Sequence, residues 1–253
     1  MLVLYNAPHS TCSQKVRLCL AEKQLPFEEI KLDLGAGKDH LKPDYLKLNP
    51  NGVVPTLVDD GKPITDSSVI CEYLDERYPA TRLTPDDLVE RARMRAWMRF
   101  LEEVPTSAVR VPSFNMAFLP RFAGLDRDSF LREEADIRPL RKHFYRRMGP
   151  TGFKREDVEA SLEQLRNTWT RMEKALADGP WLLGANYSLA DIVVAPLIDR
   201  MADLGFAETW EGQHPRVTDW YARMRARPAY GQAFYPGSRL SEFMPLTAAV
   251  KET

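Results

Sequence analysis

The sequence predicts an α/β domain followed by an all-α helical domain. The first third of the chain alternates short apolar runs with runs at helical spacing, whereas the remainder repeats mostly at the helical period. Between them, residues 79–85 contain two prolines and little periodicity, which is typical of a linker. We therefore expect an α/β domain over residues 1–79, a linker over 80–86 and a helical domain over 87–253.

Two strands and two helices are expected to open the first domain. Residues 2–5 form a short apolar strand, and Val16 and Leu20 follow at the spacing of a helix. Residues 27–33 alternate apolar and charged side chains, which indicates a second strand. A short helix over residues 39–48 then returns the chain across the sheet.

A β-hairpin and a third helix complete the first domain. The β-prone runs 56–59 and 63–65 flank Asp60 and Gly61, and an Asp-Gly pair between such runs is a strong hairpin signal. A helix over residues 67–78 follows. The complete order, β-α-β-α-β-β-α, is that of the thioredoxin-like fold, in which an antiparallel hairpin extends a mixed sheet.

The second domain contains three long segments at helical spacing, which cover residues 87–101, 156–176 and 189–201. Before the last of them, Ser188 and Asp191 are spaced to cap a helix start reciprocally. We therefore expect Asp191 to serve folding. Residues 112–150 are irregular, with aromatic residues among basic ones, and acidic residues flank the basic run. We interpret this basic run, which comprises Arg138, Arg141, Lys142, Arg146, Arg147, Lys154 and Arg155, as a solvated helix face.

Composition excludes several classes of function. The 253 residues are 44% hydrophobic and 28% charged, which describes a globular chain with a sizeable core. The 35 Lys and Arg balance 36 Asp and Glu, so no overall field attracts nucleic acid or an anionic membrane. No apolar run approaches the roughly 20 residues of a membrane span, and we expect a cytoplasmic protein. The three cysteines, Cys12, Cys19 and Cys71, fall in no metal-ligand spacing, so we expect no metal.

Four motifs occur together, and they are PHSTCS at 8–13, NPNGVVP at 49–55, DSSVICEYL at 66–74 and YSLAD at 187–191. In this order and spacing they resemble the cytosolic glutathione transferases over nearly the whole chain, although each motif alone is weak. Residues 42–45 and 71–79 are most similar to the omega and zeta classes and their bacterial relatives. Residues 112–153 are similar to the bacterial glutathione-dependent β-etherases, which cleave lignin-type aryl ethers.

The resemblance implies a glutathione site on the first domain. Val54 presents its backbone to the cysteinyl part of glutathione, as an added strand would, beside a cis bond to Pro55. Ser67 opens a helix that faces the γ-glutamyl carboxylate, while Asp66 takes the α-ammonium. Taken alone, Asp66 and Ser67 more commonly serve as a simple helix cap. Lys42 matches the omega-like position that holds the glycine carboxylate, although Lys38 and His40 lie near enough in sequence to compete with it.

The resemblance also implies a catalytic turn that favours the thiolate of glutathione, because the thiolate is the nucleophile. Aligned on the VRL run that follows, Ser10 matches the zeta catalytic serine and the omega catalytic cysteine. Thr11 matches the second zeta serine and Cys12 the zeta cysteine, whereas the β-etherase alignment points to Ser13. This sequence has Ser10 where the omega class has its catalytic cysteine, and a serine cannot form a disulfide. The resemblance therefore does not extend to the mixed-disulfide chemistry of the omega class. Helical spacing also lets Cys12 face the core, and we expect His9 to face solvent.

The helical domain is expected to hold the second substrate. Trp97, Phe114 and Phe118 are candidates for contacts with a hydrophobic, aromatic electrophile in a cleft between domains. The predicted function is attack on such an electrophile by the glutathione thiolate, with cleavage of a β-aryl ether as its narrower form. Two alternatives stay open: thiol transfer or reduction through Cys12, and a non-catalytic interaction module. The resemblance further implies a homodimer.

Overall fold

The computed structural model describes residues 1–246 and has an α/β domain followed by a helical domain. The four strands are β1 Leu2–Asn6, β2 Glu28–Lys31, β3 Thr56–Asp59 and β4 Lys62–Thr65. The helices of the first domain are α1 Thr11–Glu22, α2 Pro43–Leu48 and α3 Ser67–Arg77. The helices that follow are α4 Leu88–Glu103, α5 Pro105–Ala108, α6 Arg110–Ser113, α7 Arg127–Phe130, α8 Lys142–Arg147, α9 Arg155–Ala175, α10 Leu189–Asp203, α11 Pro215–Arg225, α12 Pro228–Ala233 and α13 Leu240–Phe243.

The sheet is mixed and has the order β2-β1-β3-β4. β1 pairs in parallel with β2, while β3 runs antiparallel to both β1 and β4. The β3–β4 hairpin turns at Asp60 and Gly61, whose φ angles of 46° and 79° are those of a type I′ turn. The predicted hairpin is therefore confirmed. The predicted helix over 39–48 instead splits into a 3₁₀ turn, Asp39–Leu41, and α2, because Pro43 has no N–H to continue the turn.

Helix α1 joins the two domains. Its apolar face buries Val16, Cys19 and Leu20 in the core, as the spacing predicted. Its polar residues are buried as well, because each finds a partner. Lys15 Nζ lies 2.5 Å from a carboxylate oxygen of Glu102 on α4. Arg17 donates to the Ala233 carbonyl at 3.0 Å, at the end of α12.

Helix α10 forms the centre of the helical domain, and residues 189–201 are buried throughout. At its start Ser188 and Asp191 form the predicted capping box. The Asp191 carboxylate also accepts from the Leu182 N–H at 3.0 Å and the Trp220 indole N–H at 2.9 Å. Burial raises the pKa of Asp191 to about 6, against the opposing effect of these hydrogen bonds.

The irregular segment between α6 and α9 folds into short pieces. A π-helical turn, Phe114–Phe118, continues α6 directly, and further 3₁₀ and π turns alternate with α7 and α8. No helix among residues 1–246 is long and apolar enough to cross a membrane. The domain limits given above remain predictions, although α3 ends at Arg77 and α4 begins at Leu88.

Candidate active site between the two domains

A cavity of about 720 Å³ lies between the domains. The first domain contributes the turn between β1 and α1, the loop after β2 and the turn before β3. The second domain contributes α6, the irregular segment and one side chain of α10. Six of the predicted site residues line this cavity, and they are Ser10, Thr11, Cys12, Val54, Phe114 and Phe118.

Ser10 lies at the N-cap of α1 with an extended backbone, φ −77° and ψ 121°. Its Oγ accepts the N–H of Ser13 at 3.3 Å, which satisfies one of the free amides of the first turn. No acceptor for its hydroxyl proton lies among the described residues. Ser10 can therefore cap the helix and still donate a hydrogen bond to an anion in the cavity.

Thr11 and Cys12 form the first turn of α1, and both are half-buried in the cavity wall. Cys12 therefore does not pack fully into the core, in contrast to one of the two orientations that its spacing allowed. Cys19 and Cys71 are buried in the core. Ser13 is fully buried, its Oγ accepts the N–H of Ala7 at 3.3 Å, and neither residue lines the cavity.

The turn before β3 brings backbone groups to the cavity. The peptide bond between Val54 and Pro55 is cis, as the resemblance implied. Within residues 1–246 neither the N–H nor the C=O of Val54 has a hydrogen-bond partner. The preceding carbonyl, that of Val53, is held by Tyr45 Oη at 2.6 Å and Asn49 Nδ2 at 2.9 Å. These bonds fix the turn and leave the groups of Val54 for a ligand.

Asp66 and Ser67 begin helix α3. The Asp66 Oδ1 atom accepts the N–H groups of Ser68 at 3.0 Å and Val69 at 3.1 Å, so Asp66 does cap this helix. Its φ of 72° is in the left-handed region that favours glycine. Neither Asp66 nor Ser67 lines the 720 Å³ cavity itself.

Lys42 lies outside the cavity, and its ammonium pairs with Asp39 at 2.6 Å on the surface. Lys38 and His40 line the cavity instead. The guanidinium of Arg138 donates to His40 Nε2 at 3.1 Å, since a guanidinium is only a donor. His40 therefore carries its proton on Nδ1, which is buried and has no partner among residues 1–246. Burial and then the charge of Arg138 lower the pKa of His40 to about 4.

His9 is buried, which corrects the expectation that it faces solvent. Its ring stacks on Phe243 of α13, with 4.4 Å between the ring centroids. Burial, followed by the positive charges of Arg200 and Arg121, lowers the pKa of His9 to about 3. The ring is therefore a neutral part of the cavity wall at physiological pH.

The helical domain lines the cavity with aromatic rings. Phe114 contacts Phe118 at a centroid distance of 5.0 Å and Tyr145 at 5.8 Å, and Phe122 and Phe130 extend the same cluster. Trp97 lies elsewhere, because it packs in the core of the helical domain with Arg171 above its ring at 4.7 Å. An apolar aromatic surface thus lines the same cavity as the turn that carries Ser10.

Arginines are the feature of the site that the sequence did not reveal. Five of them line the cavity, and they are Arg110, Arg121, Arg138, Arg141 and Arg200. Arg138 and Arg141 belong to the basic run, and the interpretation of that run as a solvated face is wrong for both. Arg138 is only 5% exposed, and it packs on Tyr145 at 4.7 Å from the ring centroid. The remainder of the run includes exposed residues such as Arg146 and Arg147.

Two family models match this chain. The model described as glutathione S-transferase, N-terminal domain, matches residues 9–77, and the model of the C-terminal domain matches residues 155–223. The chain belongs to the glutathione transferase family. Glutathione is therefore its co-substrate, and the α/β and helical domains are those of this family's fold.

Several relatives match this glutathione transferase over almost its full length. Protein LigF of Sphingobium sp. (strain NBRC 103272 / SYK-6) is 30% identical over 248 residues, 94% of this chain and 95% of that protein. The tetrachloro-p-hydroquinone reductive dehalogenase of Sphingobium chlorophenolicum is 28% identical over 244 residues, 91% of this chain and 94% of that one. The crystal structure of β-etherase LigF from Sphingobium sp. strain SYK-6 superposes with a TM-score of 0.81 at 29% identity, covering 92% and 98% of the two chains.

Proposed function

We propose that this glutathione transferase ionises the thiol of glutathione beside Ser10 and Thr11 and directs the thiolate at an aromatic electrophile. One observation carries the proposal: a single cavity brings the hydroxyl-bearing start of α1 and the free backbone of Val54 opposite the rings of Phe114 and Phe118. Glutathione is the co-substrate of this family, and the aromatic rings offer a surface on which its reaction partner can bind.

Ser10 and the start of α1 can supply the free energy that ionisation requires. A thiol with a pKa near 8.5 is only about 3% ionised at pH 7, and lowering that pKa by two units ionises about 75% for about 2.7 kcal/mol. A hydrogen bond to a charged group contributes about 1.5–3 kcal/mol. The amino end of a helix adds about 0.3–1 kcal/mol toward an anion, and α1 is 12 residues long.

The remaining groups of glutathione have partners of matching charge. Val54 pairs with the cysteinyl backbone as an added strand does. The first turn of α3, at Ser67, takes the γ-glutamyl carboxylate. Asp66 uses Oδ1 for its helix, so Oδ2 is left for the α-ammonium.

The glycine carboxylate lies between Lys38, His40 and Arg138 in this proposal, and Lys42 does not take part. Lys38 and His40 line the cavity, where the Lys38 ammonium pairs with Glu134 at 2.6 Å, whereas Lys42 pairs with Asp39 outside the cavity. His40 presents an unpartnered Nδ1–H, which suits a carboxylate oxygen. The charge of Arg138, beside His40, adds to this attraction.

For the reaction we infer cleavage of a β-aryl ether, because one similar protein of known structure is named a β-etherase and the aromatic wall suits such a substrate. The thiolate attacks the carbon that bears the ether oxygen. A C–S bond forms, the C–O bond breaks, and its electron pair leaves with the aryloxide, which takes up the proton that the thiol released. No oxidant or metal is required.

A model β-aryl ether tests this reaction. We expect phenol release and a glutathione adduct in equal amounts, detected by absorbance and by mass spectrometry. Ser10→Ala should lower kcat/KM by about 100-fold, since one charge-assisted hydrogen bond is lost. Ser13→Ala, whose hydroxyl is buried and does not line the cavity, is the matched control. Glutathione binding without turnover of any electrophile would instead favour a non-catalytic module.

Cys12 supports a second candidate, thiol transfer, because its thiol lines the cavity and lies close enough to Arg141 and Arg200 to act electrostatically on both. In that reaction the Cys12 thiolate attacks a glutathione mixed disulfide and releases the substrate thiol. A second glutathione then attacks the Cys12–glutathione disulfide and leaves as oxidised glutathione. Loss of such an activity in Cys12→Ser, together with a trapped adduct of wild-type Cys12, would favour it.

We also propose a homodimer in the cytoplasm. Apolar side chains on α3 and α4 are exposed, with Val69 at 46%, Leu88 at 74% and Val89 at 60%, and a partner chain would cover them. The three free thiols and the need for reduced glutathione suit a reducing compartment. Sedimentation equilibrium should give twice the mass of one chain, and Leu88→Glu should shift it toward the single chain.

A further inference from the structure

We propose that the electrophile of this enzyme is an aromatic anion whose carboxylate lies between Arg110 and Arg141. This inference deepens the proposed function and rests on it, because it concerns the same cavity. It names the class of second substrate, which the family and the relatives leave open.

The two guanidinium groups are placed one helical turn from the aromatic wall. Arg110 precedes Phe114 by four residues along α6 and the π turn that continues it. Arg141 precedes Tyr145 by four residues, and the Tyr145 N–H donates to the Arg141 carbonyl at 3.0 Å. Residues four apart lie on the same face of a helix. A ring held against Phe114 and Tyr145 therefore has a substituent within reach of both guanidiniums.

Neither guanidinium has a counterion. Among residues 1–246, no carboxylate lies within 4 Å of the charged groups of Arg110 or Arg141. Glu102 is within the field of Arg110, but it is already paired with Lys15 at 2.5 Å. The two arginines repel each other, since burial and then the charge of Arg110 lower the pKa of Arg141 to about 10. An anion between them would supply the missing counterion and would offset the repulsion between the two guanidinium groups.

The net positive charge of the whole cavity favours the binding of such an anion. Six cationic side chains line it, Lys38 and the five arginines, against two carboxylates, Asp33 and Glu134, which leaves a net charge of +4. His9 and His40 are neutral, because their pKa values are about 3 and about 4. Glutathione as the thiolate brings about −2, from two carboxylates, one ammonium and the sulfur. About two positive charges remain once glutathione is bound.

Glutathione itself does not need Arg110 and Arg141. Its glycine carboxylate is assigned to the group around Lys38 and His40, and its γ-glutamyl carboxylate to the start of α3 at Ser67. The two arginines instead lie on the side of the helical domain, next to the rings that face the electrophile. A carboxylate on the aromatic substrate is the remaining group of opposite charge.

Binding of two unreactive probes tests the proposal without relying on catalysis. Phenoxyacetate carries a carboxylate, and phenoxyacetamide has the same shape without the charge. Isothermal titration calorimetry with and without saturating glutathione gives the ratio of their Kd values. We expect phenoxyacetate to bind about tenfold more tightly or better, as for a charge-assisted hydrogen bond, and to lose that advantage at high salt.

The variants assign the preference to these two side chains. Arg110→Gln and Arg141→Gln should each lower the ratio about threefold or more, Arg141→Lys should keep part of it, and exposed Arg166→Gln on α9 should leave it unchanged. Equal binding of both probes to the wild type would overturn the proposal, and so would variants that weaken glutathione binding as much as phenoxyacetate binding. A probe preference in an enzyme that cleaves no ether would refute the proposed reaction alone.

Discussion

The guanidinium of Arg138 lies 3.1 Å from Nε2 of His40, across 98 residues of sequence. Arg138 also packs against the Cβ position of Gly52, where an added methyl group would lie 3.1 Å from its side chain. Both contacts join the irregular segment of the helical domain to loops of the first domain. The helical domain therefore helps to position the groups to which we assign glutathione.

Replacing Arg138 should weaken glutathione binding. Arg138→Met keeps the apolar contact with Tyr145 but removes the donor to His40 and one cationic charge. We expect KM for glutathione to rise about tenfold, as for a lost hydrogen bond to a charged group, with a smaller change in kcat. Arg132→Met, at an exposed position in the same segment, should leave KM unchanged. A change confined to kcat would contradict this role.

The two candidate lysines should separate in the same assay. Lys38→Ala removes a charge from the cavity wall and should raise KM for glutathione several-fold. Lys42→Ala removes only a surface partner of Asp39 and should change KM by less than about twofold. The opposite ranking in steady-state kinetics would restore Lys42 as the ligand.

Sequence patterns identified those parts of the site that local residues determine. Asp60 and Gly61 predicted their hairpin, Ser188 and Asp191 their capping box, and helical spacing placed Val16 and Leu20 in the core. Each of these features depends on side chains only a few residues apart. The family resemblance added the cis bond before Pro55, which spacing alone does not indicate.

The arginines of the cavity could not be found in this way. A basic residue every three or four positions in a helix looks the same whether it faces water or a cavity. Arg138 is buried because residues far away in sequence, among them His40 and Gly52, lie against it. Arg200 is buried in α10 because it donates to the carbonyl of His9, and that contact also explains why His9 does not face solvent.

His9 should make the fold sensitive to acid. Folding lowers its pKa from 6.5 to about 3, so as the pH falls the unfolded chain takes up the proton first. Stability is therefore lost between about pH 6.5 and pH 3. Between pH 7.5 and pH 5 this single group should cost about 2 kcal/mol of the free energy of unfolding. Urea titrations should show that loss reduced by about this amount in His9→Gln. An equal loss in both proteins would show that His9 titrates normally.

Asp191 should be essential to stability. Its carboxylate accepts four hydrogen bonds, from Leu182, Trp220 and both the N–H and the hydroxyl of Ser188. Asp191→Ala leaves buried donors without partners, and we expect a loss of about 3 kcal/mol or more. Asp87→Ala, which removes an exposed N-cap from α4, should cost only about 1 kcal/mol in the same denaturation experiment. Equal losses would mean that burial adds nothing at Asp191.

The ionisation of bound glutathione tests the central claim most directly. The ultraviolet absorbance of the thiolate, followed against pH at saturating glutathione, gives the pKa of the bound thiol in the wild type and in Ser10→Ala, Thr11→Ala, Cys12→Ala and Ser13→Ala. We expect a pKa about two units below that of free glutathione, returning toward the free value in Ser10→Ala and unchanged in Ser13→Ala. Binding with an unshifted pKa in the wild type would contradict activation of the thiol at the start of α1.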